Sequence, residues 1–230
     1  QASMIRNYIK WDDTPGSAAA AVESIRRATM IARTKPSGPV YINLDATVQE
    51  MELEDWPTLQ DVSSYKVPGP AAPNPTDLDQ AVQWLDGAKD VVIFAGRMGR
   101  DETAWKERIA LAEALGARVF IGNTPGAFPT THACFSGEGG FNLRPENKES
   151  IRKADVILAL DWVDIGGTLM QIFPAGQPRA TKIINCSIDY QLHNGWVMDY
   201  HVLPISDLHI ATTTEALTSA LLGRVTKRPD

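Results

Sequence analysis

Residues 91–95 read VVIFA, and Gly96 follows them directly. A continuous apolar run of this length, without a polar residue at every second position, is typical of a parallel strand that is buried on both faces. Comparable runs occur at residues 117–121, 155–160 and 182–186. Because helical patterns separate these runs, the sequence predicts an α/β fold with a Rossmann-like, doubly wound and mainly parallel sheet.

Helices and a last strand complete this pattern. Apolar residues recur at helical spacing between Thr76, the predicted N-cap, and Gly87, the predicted end of the helix. Further helices are predicted at about 102–115 and 214–222, and a last strand is predicted at 208–211.

The first part of the chain shows a shorter α/β pattern. A helix is predicted at 17–34, with Ser17 as its N-cap, and a short strand follows at 40–44. A helix, a turn and a strand make up only the last unit of an α/β domain. The chain also begins without a methionine, so we expect that an upstream portion of the protein precedes it.

Residues 46–76 hold five prolines and little periodicity, which predicts a semi-rigid linker that runs over a protein surface. The chain is therefore expected to have three parts. Residues 1–45 form the C-terminal end of an N-terminal domain, residues 46–76 form the proline-rich linker, and residues 77–225 form the Rossmann-like domain.

The composition excludes several classes of function. The chain has 230 residues, a net charge of -6 and a pI of about 5.3. An acidic chain without a basic run has no electrostatic attraction to nucleic acid or to an anionic membrane. No stretch approaches the roughly 20 apolar residues of a membrane span, and the start lacks the apolar segment of a signal peptide. Cys134 and Cys186 are predicted to be free thiols of a cytoplasmic protein, and the four histidines lack metal-ligand spacing.

Polar residues that follow the predicted strands form the candidate site. In open α/β sheets, ligands bind at the carboxyl ends of the strands. Gly96 at such an end would let the backbone approach a phosphate, and Arg97 would supply positive charge. Alternatively, this turn needs glycine only for its geometry. Asp189, after the strand at 182–186, would either accept hydrogen bonds from a ribose or cap a turn.

Two further stretches contain neighbouring glycines. Residues 136–140 read SGEGG and are predicted to form a flexible surface loop, whereas residues 164–168 read DIGGT and follow a strand on the ligand-bearing edge. The sequence contains no nucleophile–base pair on an elbow, no Walker lysine motif and no cluster of metal-binding carboxylates. We therefore predict no catalytic residue and no metal ligand in this chain.

Several segments resemble, in the same order, the acetolactate-synthase-like and benzoylformate-decarboxylase-like enzymes that depend on thiamine diphosphate. Residues 5–13, 17–34 and 38–44 resemble the end of that family's pyrimidine-binding domain. The segments that resemble its central domain are 91–96, 111–117, 126–129 with His132, 154–160 and 183–189. The resemblance implies that the Rossmann-like domain is a central domain with a six-stranded sheet.

The resemblance also implies an activity for the parent enzyme. Enzymes of this family join or cleave carbon–carbon bonds next to the carbonyl of 2-oxo acids, with thiamine diphosphate and magnesium as cofactors. The family's cofactor-activating glutamate and its Gly-Asp-Gly…Asn motif for magnesium do not occur in this sequence. The chain alone is thus expected to be inactive. Its expected partners are the missing domains of the same polypeptide, in a homo-oligomer.

Some members of the family bind FAD or ADP on the central domain. The positions that match such a nucleotide site here are Gly96, Arg97, Asn123, Thr124, Asp161 and Asp189. Members that bind FAD carry Gly-x-Arg after the strand that ends here at Leu160, whereas this chain has an aspartate at 161 and another at 164. Because carboxylates repel a pyrophosphate, we expect no tight binding of FAD and at most weak binding of an adenine nucleotide.

Two other functions fit parts of the pattern. One is a stand-alone Rossmann-like module that acts only by binding a nucleotide, and the other is a structural domain whose surface builds an oligomer. The helix and strand within 1–45 argue against the first, because a complete module would not begin inside another domain. The second overlaps with the role of a central domain.

Overall fold

The computed structural model describes residues 2–122, 126–139, 143–173, 179–189 and 202–229. The chain divides into two compact units, Gln1–Gly69 and Pro70–Asp230. Within the described ranges, no helix combines the length and the apolar character that crossing a bilayer requires.

The first unit contains one long helix and a small sheet. Its elements are α1 (Ala2–Ile5), a 3-10 turn at Arg6–Tyr8, β1 (Trp11–Asp13), α2 (Ala18–Arg33), β2 (Val40–Ile42), α3 (Ala46–Gln49) and a second 3-10 turn at Val62–Ser64. Ser17 caps α2 as predicted, because its hydroxyl accepts a hydrogen bond from the backbone amide of Ala20 at 3.2 Å. β1 and β2 are parallel. The sequence does not predict β1, since a strand of three residues is too short to show a pattern.

The segment 46–76 contains more regular structure than its prolines predict. α3 begins after Asp45, whose carboxylate accepts a hydrogen bond from the amide of Thr47 at 2.9 Å. The second 3-10 turn begins after Asp61 in the same way. Each element spans about one turn, so neither produces a repeated apolar face from which it could be predicted.

The second unit alternates strands and helices. Its described elements are α4 (Pro75–Gly87), β3 (Val91–Ala95), α5 (Glu102–Ala114), β4 (Arg118–Ile121), β5 (Phe135–Glu138), α6 (Pro145–Arg152), β6 (Val156–Leu160), α7 (Ile165–Ile172), β7 (Lys182–Cys186), β8 (Leu208–Ile210) and α8 (Thr214–Leu222). The strands β3, β4, β6, β7 and β8 lie where the apolar runs predict them, within one residue at each end.

These strands form one parallel sheet with the order β5-β4-β3-β6-β7-β8. Counted from the first strand of the unit, this is the Rossmann order 3-2-1-4-5-6. The predicted fold class, an α/β fold with a doubly wound six-stranded sheet, is therefore confirmed. The order reverses between β3 and β6, so the crevice at their carboxyl ends is the topological switch point of the sheet.

Helices cover both faces of the sheet. One apolar cluster joins one face to α4, α5 and α8 through Leu85, Leu111 and Leu217, all of which are fully buried. A second cluster joins the opposite face to α6 and α7 through Ile151 and Ile172. Burial on both faces explains why the central strands are continuously apolar.

Local predictions need correction at two helices. Asn74, and not Thr76, is the N-cap of α4, because the Asn74 side chain accepts a hydrogen bond from the Thr76 amide at 2.9 Å. Pro75 then occupies the first turn, where its missing N–H leaves no bond unmade. The sequence also misses α7, whose first turn contains Gly166 and Gly167, residues of low helix propensity.

The predicted loop at 136–140 is also wrong in part, since β5 covers Phe135–Glu138. β5 is the edge strand of the sheet and is only partly buried, so it does not need an apolar run. Gly137 adopts φ +152° beside an irregularity in the pairing of β4 with β5. A glycine in a bulged edge strand looks like a loop residue in the sequence.

Candidate functional site

The candidate site lies at the switch point, where the chain leaves β3, β6 and β7. Gly96 and Arg97 follow β3, Asp161 follows β6, and Ser187 and Asp189 follow β7. Because β6 pairs with β3 on one side and with β7 on the other, these three turns are neighbours at one edge of the sheet.

Arg97 forms an ion cluster with two carboxylates. Its Nη2 donates a hydrogen bond to Oδ1 of Asp161 at 2.8 Å, and it also donates to Oδ2 of Asp189. The side chains of Asp161 and Asp189 are only 16% and 11% exposed, so water screens these pairs weakly. Burial alone would lower the pKa of Arg97, but the negative charges of the two carboxylates outweigh burial and raise it.

Ser187 connects the two carboxylates. Its Oγ lies 2.8 Å from Oδ1 of Asp161 and 2.8 Å from Oδ1 of Asp189, and it accepts a hydrogen bond from the Asp189 amide at 3.3 Å. Burial raises the pKa of Asp161, although Arg97 and Ser187 oppose this effect. The cluster therefore ties the ends of all three strands together through one cation, one hydroxyl and two carboxylates.

The backbone of Asp161 holds the other end of Arg97. The amide of Arg97 donates to the carbonyl of Asp161 at 3.0 Å, and the amide of Gly96 donates to the carbonyl of Leu160 at 3.0 Å. The next amide, of Met98, donates to the carbonyl of Gly96 at 3.0 Å. The first three N–H groups of the turn after β3 thus have protein acceptors.

Gly96 lets the turns after β3 and β6 come together. A Cβ atom at Gly96 would lie 2.6 Å from the carbonyl carbon of Asp161 and 2.6 Å from the Cα of Trp162. These atoms belong to the backbone and cannot rotate away. The structure thus gives this glycine a geometric role, because protein backbone occupies the space beside it.

Trp162 anchors the turn after β6 against the sheet. Its ring lies 4.8 Å from the ring of Phe94, measured between centroids, and its Nε1 donates to Oγ1 of Thr168 at 2.8 Å. Asp161 itself adopts φ +49°, the left-handed conformation that aspartate and asparagine tolerate best among non-glycine residues. These contacts fix the position of the Asp161 carboxylate.

Carboxylates also occupy two helix N-termini at this edge. Oδ1 of Asp101 accepts a hydrogen bond from the amide of Ala104 at 2.9 Å at the start of α5, and this bond lowers the pKa of Asp101. Oδ1 of Asp164 accepts from the amide of Gly167 at 3.1 Å at the start of α7. The partial positive charge of each helix start is therefore matched by its own cap.

Arg108 is a buried arginine that the sequence does not identify. It is 3% exposed, and its guanidinium donates to the carbonyls of Gly126 and Ala127 at 3.1 and 2.8 Å and to that of Gly99. Arg108 thereby joins the turn after β3 to the loop after β4. Its position in the middle of α5 gives no signal in the sequence, because arginine is common on exposed helix faces.

The structure brings four of the predicted site residues together, namely Gly96, Arg97, Asp161 and Asp189. The other two, Asn123 and Thr124, lie outside the described residues. Ser187 belongs to the cluster although the prediction omits it, and its position directly after a strand was the available signal. In the parts of the chain that the structure describes, no group of histidine, cysteine or acidic residues could hold a metal ion.

The two thiols are free, and His132 makes two local contacts. Cys134 and Cys186 are both free, as predicted, and burial raises the pKa of each thiol. Nδ1 of His132 accepts a hydrogen bond from the Cys134 amide at 3.2 Å, and Nε2 lies 3.3 Å from Oε1 of Glu113. Because Nδ1 accepts, the proton of a neutral ring is on Nε2, and this histidine is a structural link.

Comparison with known proteins identifies one family. A family profile described as "Thiamine pyrophosphate enzyme, central domain" matches residues 78–203. A sulfoacetaldehyde acetyltransferase of Rhodobacter capsulatus is 29% identical over 161 residues, which are 70% of this chain and 26% of the relative. The large subunit of acetolactate synthase from Corynebacterium glutamicum is 26% identical over 140 residues, which are 60% of this chain and 22% of the relative. The chain thus spans about a quarter of the length of these relatives.

Solved structures show the same fold. The benzoylformate decarboxylase of Polynucleobacter necessarius superposes with a TM-score of 0.69 at 20% identity, over 96% of this chain and 39% of that chain. The thiamine diphosphate-dependent 4-hydroxybenzoylformate decarboxylase of Rhodococcus jostii superposes with a TM-score of 0.68 at 18% identity, over 100% of this chain and 42% of that chain. At such identities the likeness concerns the fold alone.

Proposed function

Since this chain belongs to the thiamine pyrophosphate enzymes and carries their central domain, we propose that it is a non-catalytic, structural part of a longer enzyme that decarboxylates or joins 2-oxo acids. The observation that carries this function is the match of residues 78–203 to the central-domain profile. The relatives are named as an acetyltransferase, an acetolactate synthase and a benzoylformate decarboxylase, and these names support the proposed reaction class.

Thiamine diphosphate is the cofactor that the family implies. When bound, it supplies the carbanion chemistry, and the protein supplies binding and orientation. In the proposed enzyme, the thiamine diphosphate and its magnesium ion are held by domains other than the central one. The residues at the switch point of this chain are then not catalytic, and they serve to hold the central sheet together.

The first unit supports a place within a larger domain. β1 and β2 form a two-stranded parallel sheet, an arrangement that is stable only when further elements cover it. All six strand residues are only partly buried, and α2 buries just Ser24 and Ala28 of its 16 residues. Ile25 of α2 is 52% exposed. We therefore assign residues 1–45 to the end of the preceding, pyrimidine-binding domain, whose other elements would cover this unit.

The second unit supports a role in assembly. Several large apolar side chains of this unit are at least one-third exposed, namely Met170, Val202, Leu203 and Ile205. The carbonyl of Val202 lies against Gly166 in α7, so the backbone of Val202 and Leu203 lies beside the helix that carries Met170. Apolar side chains grouped in this way favour contact with another protein surface. The full enzyme is accordingly proposed to be a cytoplasmic homo-oligomer.

A stand-alone nucleotide-binding module is the alternative function. The Rossmann strand order favours it, because such sheets bind dinucleotides at the switch point. The poorly covered first unit opposes it, because a self-sufficient module would not carry a sheet with so little core.

Calorimetry with thiamine diphosphate and magnesium tests the proposal. The chain alone should give no binding heat, whereas the same chain within its complete natural polypeptide should bind the cofactor. Micromolar binding by the chain alone would refute the assignment of the chemistry to other domains. Failure of the complete polypeptide to bind, with a folded far-UV spectrum, would refute the thiamine-dependent function itself.

A further inference from the structure

We infer that the switch point is closed by an internal ion cluster, in which the carboxylates of Asp161 and Asp189 occupy Arg97 in place of a cofactor phosphate and exclude FAD and ADP. The inference rests on the proposed function only in naming these nucleotides as the ligands that are excluded. It follows from the state of the described groups at this edge that would otherwise bind a pyrophosphate.

A Rossmann edge binds a pyrophosphate through free backbone amides in a glycine turn, through a helix N-terminus and through a cation. The amides of Gly96, Arg97 and Met98 all donate to protein carbonyls. A phosphate could use the amides of Gly96 and Arg97 only if the turns after β3 and β6 separated. The close approach of Gly96 to the backbone of Asp161 and Trp162 leaves no gap between these turns.

The helix starts at this edge are occupied as well. Asp101 caps α5 and Asp164 caps α7, and each cap carries a negative charge. The helix N-terminus next to the glycine turn therefore already has its anion. An incoming phosphate would have to displace the Asp101 carboxylate from the Ala104 amide and would then meet its repulsion.

The remaining group is the cation. Arg97 donates to both Asp161 and Asp189, and the amide of Arg97 is bound by the same residue, Asp161. The guanidinium is thus held toward β6 and β7, where two carboxylates face it among the described residues. The Ser187 hydroxyl lies 2.8 Å from a carboxylate oxygen of each aspartate and donates its one proton to one of them at a time. The two aspartates therefore act as an intramolecular anion. Because both carboxylates are held next to Arg97, a soluble phosphate cannot outcompete them.

Pyrophosphate and FAD are the probes that test this inference. The chain should show no saturable binding of pyrophosphate, and it should carry no flavin absorbance through gel filtration. Asp161→Asn combined with Asp189→Asn keeps the shapes of both side chains and removes their charges, and asparagine tolerates the φ of +49° at position 161. This double variant should bind pyrophosphate saturably, because the guanidinium of Arg97 is then released from both carboxylate charges, whereas the natural chain should not. Adding Arg97→Ala should abolish the gain.

Asp79→Asn is the matched control, because Asp79 forms an exposed pair with Arg224 away from the switch point. It should leave pyrophosphate binding unchanged. If the natural chain binds FAD or ADP and Arg97→Ala removes the binding, the cluster is a ligand site and the inference is wrong.

A folded double variant that still fails to bind pyrophosphate would also overturn the inference, because the carboxylates would then not be what excludes the anion. Should the double variant not fold, Asp189→Asn alone removes one of the two charges and should give a smaller gain in pyrophosphate binding that Arg97→Ala abolishes. The flavin measurement needs no variant. None of these results depends on thiamine diphosphate, so the inference and the proposed function can fail separately.

Discussion

Replacement of Gly96 by alanine adds one methyl group at the point where the turns after β3 and β6 meet. The new Cβ would lie 2.6 Å from the carbonyl carbon of Asp161 and 2.6 Å from the Cα of Trp162. A normal contact needs roughly 3.5 Å or more between carbon atoms. The turns would have to separate by about 1 Å, which would lengthen the hydrogen bonds that Gly96 and Arg97 donate to β6.

The loss of folding stability in Gly96→Ala depends on which atoms must move. Overpacking of a core by one methyl group usually costs ~1–3 kcal/mol, when side chains can shift to relieve it. Here both contacted atoms are backbone, and Trp162 is held by Phe94 and Thr168, so we expect the upper end, ~3 kcal/mol. With an m-value of ~2 kcal/mol per molar urea, the unfolding midpoint should fall by ~1.5 M.

Gly87→Ala is the control for this measurement. Nothing lies within 4 Å of a Cβ at Gly87, the last residue of α4, so this change should be neutral or stabilise by up to ~0.5 kcal/mol. Urea titrations followed by far-UV circular dichroism compare the two variants. If Gly96→Ala unfolds at the same urea concentration as Gly87→Ala, the turn after β3 is not held against β6 and the account of this glycine is wrong.

Further variants and probes test other parts of the chain. Arg228→Ala should lower stability by ~1–2 kcal/mol in urea unfolding, because its guanidinium donates to carbonyls at the end of α4. Hydrogen bonds from two backbone amides hold the pKa of Asp155 below its ordinary value. The contribution of Asp155 to the free energy of unfolding is therefore complete above about pH 4 and is lost below it. Asp155→Asn should reduce this loss of stability at acid pH, as measured by unfolding curves. Limited proteolysis should cut first within 46–76, and a first cut within 90–125 would contradict the domain boundary. A thiol reagent should label Cys186 only after unfolding, since this residue is fully buried.

The sequence predicts the central strands well because their environment is uniform. β3 and β6 have helices on both faces and strands on both edges, so every residue from Val91 to Ala95 is buried and apolar. β5 lies at the edge with partial burial, and its residues carry no such requirement. The sequence does not predict α7 for a related reason. Gly166 is required there because Val202 packs against it, and this contact joins segments that are far apart in the sequence.

The site could be predicted in position but not in its bonding. Each candidate follows a strand, and parallel strands end at one edge, so Arg97, Asp161 and Asp189 were expected to be neighbours. Which of them pair depends on the strand order and on the left-handed conformation of Asp161. Neither property has a signal in a single sequence, since both arise from contacts across the sheet.

The strand order determines which groups Arg97 binds. In sequence, Arg97 follows a glycine at a strand end, a pattern typical of phosphate binding. With β6 placed between β3 and β7, the aspartates that follow β6 and β7 come within hydrogen-bonding distance of that same guanidinium. A charge at the edge of a parallel sheet can therefore be assigned to a ligand only after the charges on the neighbouring strands are counted. Among the described residues of this edge, the count sets two carboxylates against the guanidinium of Arg97.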